Sequence, residues 1–63
     1  MNAQELLKRY AAGERDFSNA DLQGVVCTEE VLRGIILRGA NLERANFGWA
    51  NLEGADLSNA TAP

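Results

Sequence analysis

Hydrophobic positions change period at about residue 14. Before it, Ala3, Leu6, Leu7, Tyr10 and Ala11 recur at three- and four-residue spacing, leaving Gln4, Glu5, Lys8 and Arg9 mostly opposite, the pattern of an amphipathic helix. Asn2 can cap its start, with Glu5 three residues on able to reach back, and Gly13 fits the left-handed position that ends it. The pattern predicts a helix from about Ala3 to Ala12. About three turns are too short to stand alone in water, so this helix must dock on something.

After residue 14 the period is five. Phe17, Leu22, Leu32, Leu37, Leu42, Phe47, Leu52 and Leu57 are all the remaining leucines and phenylalanines, and each leaves remainder two on division by five. Chance would place them so roughly once in 10⁵. Cys27 and Ala62 fill the two other slots. Two places earlier the residues are small or apolar in eight of ten units, Arg15 and Glu30 being the exceptions. Between these slots lie Asp16, Asp21, Asn41, Asn46, Asn51 and Asp56, residues that bond their own backbone in tight turns. Each unit thus sends two side chains inward and three outward. Four units form a square coil that stacks on the next at the ~4.8 Å spacing of strands, so like residues stack in columns as in solenoids. The register predicts columns Phe17/Leu37/Leu57, Leu22/Leu42/Ala62, Cys27/Phe47 and Leu32/Leu52. A solenoid end exposes core and strand edges, so the helix is expected to shield the Phe17 and Leu22 end.

Composition narrows the chemistry. A chain of 63 residues allows one small domain with little core to spare. One cysteine and no histidine supply neither a disulfide, a zinc set nor a Cys-His pair. The net charge of −3 argues against nucleic acid and a polybasic membrane contact, and no apolar run approaches a membrane span. A cytoplasmic protein without cofactor or metal is expected. Cys27 is expected to be structural, because its slot predicts burial. Glu29, Glu43, Glu53 and Asp56 read as a solvated face, and Arg33 should stack beside Glu53 one coil on. Trp49 lies at an outward position, either as an interface anchor or as cover over Glu29 and Val26.

The units ADLQG (20–24), ANLER (40–44), ANFGW (45–49), ANLEG (50–54) and ADLSN (55–59) resemble the A(D/N)LXX pattern of the pentapeptide repeat proteins, with RDFSN and IILRG looser matches. The lead-in ELLKRYAAGERDF is similar to the helical cap of short cyanobacterial members. The resemblance implies an all-β solenoid, a right-handed quadrilateral parallel β-helix of about two and a half coils over 15–63, preceded by a capping segment over 1–14. It implies little about activity. Val26, Val31 and Ile36 depart from the pattern by standing where Asp or Asn is usual, and Glu30 occupies an inward slot. This stretch is read either as a distorted corner that frees Glu30 and turns Val31 in, or as a partner-binding bulge. With Trp49, these three residues form the candidate interface.

The expected function is a non-enzymatic protein-interaction module or scaffold. The alternatives are a DNA-mimicking modulator of a type II topoisomerase, which resembles the behaviour of some family members, and an N-terminal piece of a longer repeat protein or fusion. Pro63 blunts only one face of the final edge, so the reading includes a C-terminal end-to-end homodimer or a natural chain that continues with more coils.

Overall fold

The computed structural model describes residues 1–61, so Ala62 and Pro63, with the column position assigned to Ala62, lie outside the described residues. Helix α1 spans Ala3–Ala11. Asn2 caps it by accepting the Glu5 N–H at 2.8 Å, but the Glu5 carboxylate does not reach back. It turns instead to Arg9, 3.4 Å away on the next turn. At the other end Gly13 takes φ +107°, and the N–H groups of Gly13 and Glu14 bond the carbonyls of Tyr10 and Arg9. That crossed pair satisfies two of the terminal acceptors of the helix.

From Asp16 onward the chain returns beside itself every twenty residues. Parallel bridges join Asp16 to Ile36 and Ile36 to Asp56, Asp21 to Asn41 and Asn41 to Thr61, Val26 to Asn46, and Val31 to Asn51. Each is one residue long, so among the described residues the pairing takes the form of isolated bridges rather than the extended strands the all-β expectation suggests. The reason is local. Three of every five residues are spent on a corner, which leaves too little straight chain for a strand. Each bridge still closes two hydrogen bonds, as in Phe17 N–H to the Ile36 carbonyl at 2.7 Å and Ile36 N–H to the Arg15 carbonyl at 2.8 Å.

The corners are nearly identical. Ala20 N–H returns to the Phe17 carbonyl at 3.1 Å, and seven further corners repeat this bond. The third residue of each corner has positive φ: Asn19, Gly24, Glu29, Gly34, Gly39, Arg44, Trp49, Gly54 and Asn59, the signature of a type II turn. This conformation aims the third N–H along the stack, so Asn19 donates to Arg38, Gly24 to Glu43, Glu29 to Gly48, Gly34 to Glu53 and Gly39 to Ser58. The Asp and Asn side chains complete the corner by accepting the N–H two residues on, from Asp16 to Ser18 through Asp56 to Ser58.

The core is the stack of inward residues. Phe17, Leu22, Cys27, Leu32, Leu37 and Leu42 are buried, as are Val25, Ile35 and Ala40 from the alanine slots. Phe47 and Leu52 are only part-buried, and Leu57, expected in the core, is 43% exposed. Its register is the expected one, above Leu37 in the third level, but no described circuit lies over it. Leu6 of α1 is wholly buried against the same cluster, with Ala3, Leu7 and Tyr10 packed beside it. The Tyr10 hydroxyl donates to the Arg33 carbonyl at 2.7 Å, and the Arg15 guanidinium stacks 3.7 Å from the Tyr10 ring centroid. That contact explains how Arg15 occupies an alanine slot while staying exposed.

Candidate functional site

Cys27 is buried, and its thiol is pushed up by that burial first and by the charge of Glu30 second. It is therefore a packing residue rather than a nucleophile. Among the described residues no group of acidic, His or Cys side chains is placed to hold a metal ion. Two surface depressions lie at the helix: one of about 500 Å³ lined by Asn2, Gln4, Glu5 and Lys8, and one of about 270 Å³ between Met1–Ala3 and Gln23–Val26. Neither converges a nucleophile with a base.

Seven of the fifteen charged side chains meet each other on the outside. Arg33 Nε lies 3.0 Å from Glu53 Oε1, twenty residues on, as the register requires. Arg38 lies 2.6 Å from Asp56. The Asp56 carboxyl is held well below the usual carboxylate range by the Ser58 hydroxyl first, then by Arg38 and by the Ser58 N–H. Arg9 joins Glu14 and Glu5 beside α1. Such exposed pairs contribute little to stability singly.

Of the four interface residues expected from sequence, the structure brings three to one region. Trp49 is 93% exposed, Val26 61% and Val31 58%. Register places Glu29 directly below Trp49, because the Glu29 N–H bonds the Gly48 carbonyl at 2.8 Å. Val26 and Val31 belong to the two sides that meet at this corner, paired with Asn46 and Asn51. Ile36 does not join them. It is half-buried on the next side, bridged between Asp16 and Asp56.

Two expectations for this stretch are corrected. Val31 does not turn inward, and Trp49 covers neither Glu29 nor Val26, since almost its whole side chain is in solvent. Trp49 stands at the third position of its corner with φ +61°, and its side chain lies in solvent rather than along the stack. The corner below departs from the others. Cys27–Glu30 is the one described corner without the closing backbone bond, and Glu30 is half-exposed. Sequence reasoning missed the left-handed backbone at all nine corners, although Gly or Asn at six of them was the available signal. It also missed the Tyr10–Arg33, Arg15–Tyr10 and Arg38–Asp56 contacts, which depend on how long side chains fall between non-identical positions.

Comparison with known proteins adds one positive finding. No curated protein matches the chain at a significant level. The family model described as Pentapeptide repeats matches residues 20–59 in eight copies, forty residues at five per copy and more than half of the 63. The first unit, RDFSN at 15–19, lies outside the match, yet Asp16 accepts from Ser18 and bridges Ile36 like its successors. By its repeats and their twenty-residue register, the chain belongs to the pentapeptide repeat family.

Proposed function

We propose that the protein is a non-enzymatic protein-interaction module built as a right-handed quadrilateral parallel β-helix, with residues 1–14 as its cap and 15–63 as the repeat body. The observation that carries the reading is the concentration of exposed apolar surface at one corner, Trp49 with Val26 and Val31, on a body whose hydrogen bonds are otherwise used in stacking. Aromatic residues held in water on a rigid frame are typical anchors of interfaces. The cytoplasm is the compartment this reading favours, since the single free thiol of Cys27 needs no oxidising environment.

The DNA-mimic alternative is disfavoured by charge. Arg33 and Arg38 each sit on a carboxylate, Glu53 and Asp56, and break up what would have to be a continuous anionic face. A chain that continues with more coils would bury Leu57; the other arrangement proposed is a homodimer through the Phe47, Leu52 and Leu57 end, in which Leu57, 43% exposed, gains burial. Sedimentation equilibrium over a hundredfold concentration range tests it, and a monomer throughout overturns it.

The module reading is tested by affinity capture from native extract with the wild-type protein and W49A. A protein retained by the first and lost from the second, identified by mass spectrometry and rebound as a purified partner, is the expected result. Equal retention by both, or none, overturns it.

A further inference from the structure

We propose that the Trp49 corner docks a basic segment of a partner protein, with an Arg or Lys side chain lying on the indole and its charge met by Glu29 and Glu30. The inference rests on the interaction-module reading and adds the chemistry of the partner.

Trp49 contributes almost nothing to the fold. It is 93% exposed, so it buries no useful area, and it holds φ +61°, a conformation that disfavours any side chain with a Cβ. The result is a broad aromatic face presented to water at a fixed point of a rigid frame. Such a face attracts cations through its quadrupole, and best of all when the ring is indole.

The level below supplies the counter-charge. Glu29 and Glu30 lie one circuit under Trp49 and Ala50, tied there by Glu29 N–H to the Gly48 carbonyl and Asn51 N–H to the Glu30 carbonyl at 2.9 Å. That separation is about 4.8 Å between backbones, so the two carboxylates and the indole belong to adjacent levels of one corner. Glu5, Glu14, Glu53 and Asp56 are each met by an arginine. Among the described residues Glu29 and Glu30 make no ion pair, so their charge is open to an outside cation.

Val26 and Val31 complete the match. At 61% and 58% exposure, they offer aliphatic surface on both sides of the corner, suited to the methylene stem of Arg or Lys and to an apolar neighbour in the same segment. Two adjacent carboxylates repel phosphate, which excludes nucleic acid and anionic lipid as the occupant. Arginine fits better than lysine because its planar group stacks on the ring while its edge donates to carboxylates.

The test uses the full chain and the peptide Ac-Leu-Arg-Leu-Arg-NH2, with its citrulline counterpart as the uncharged isostere. The single tryptophan makes its indole N–H an unambiguous reporter in heteronuclear NMR, and calorimetry gives the affinity. Expected are a saturable indole shift with the arginine peptide, binding at least threefold weaker for citrulline, and a comparable loss in the E29Q/E30Q variant, whose dispersed spectrum shows that it folds. No indole shift, equal affinity for the two peptides, or unchanged affinity in the variant overturns the proposal. So does an indole shift that follows protein concentration alone, which would make a second copy the occupant, or one produced by phosphatidylcholine vesicles. Trp49-dependent capture of a purified partner without arginine-peptide binding would leave the module reading standing and remove this one. Arginine-peptide binding with nothing captured would overturn the module reading and the partner segment with it, leaving only an affinity of the corner for arginine.

Discussion

Asp and Asn alternate freely at the second position of the repeat because the corner uses only a side-chain carbonyl oxygen, which both possess. Asp56 does more than its counterparts, since Ser58 and Arg38 also hold its charged form. Its folded pKa is depressed relative to the unfolded value of about 3.9, so its contribution is complete above that pH and is lost as pH falls through and below it. Asp16, depressed chiefly by Ser18, and Glu14, depressed chiefly by Arg9, add in the same direction. Urea midpoints measured from pH 7 to pH 2 should therefore fall below about pH 4. The fall should be shallower in D56N, which keeps the turn acceptor but cannot titrate. At the third corner position the backbone decides. Trp49→Gly relieves a left-handed residue without removing any packing, and is expected to stabilise by about 0.5–1 kcal/mol. Gly39→Ala should destabilise by about 1–2 kcal/mol, because φ is +70°, while the Asn19 amide that the new Cβ would meet can swing aside. Chemical denaturation of the two variants checks both signs.

Helix α1 matters through one face. Leu6 is wholly buried on the first circuit, Tyr10 is pinned by its hydroxyl to Arg33, and Arg9 stands 5.2 Å from the Phe17 ring centroid. A nine-residue helix has little stability of its own, so it is held by the body it covers and the body's first edge is shielded in return. Leu6→Ala should cost about 2–5 kcal/mol, comparable with a core leucine of the repeats. Removing residues 1–13 should cause aggregation or unfolding. A truncated protein that remains monomeric with an unchanged melt would show that the helix is only an appendage.

Across the whole molecule burial falls from the helix end towards the far end. In one column Phe17 and Leu37 are buried while Leu57 is 43% exposed, although all three share the same slot. Leu37→Ala is accordingly expected to cost about 2–5 kcal/mol and Leu57→Ala clearly less, with Glu43→Ala within about 0.5 kcal/mol of wild type. Equal urea midpoints for the two leucine variants would show that the column is not graded. The described body measures 26 × 20 × 18 Å between Cα extremes, which makes surface features at any corner accessible without a cleft. Binding at an edge or corner is what such a shape permits.

Period, register and columns were legible in the chain because a five-residue repeat leaves few ways to bury one leucine per unit, and backbone pairing at twenty residues follows from four units per circuit. The Asx turns and the Arg33–Glu53 pair were legible for the same reason: each depends on spacing along the chain or on the register. What needed the tertiary structure was everything set by three-dimensional direction. Whether Trp49 folds over Glu29 or stands in solvent is set by backbone and side-chain torsions at a corner where it takes φ +61°, a conformation that tryptophan ordinarily avoids. Ile36 differs from Val26 and Val31 only in which side of the coil it occupies and how its neighbours fall, Asp16 below and Asp56 above. Sequence composition determines how many apolar side chains this protein must leave outside; the winding of the chain alone decides which of them meet at one corner.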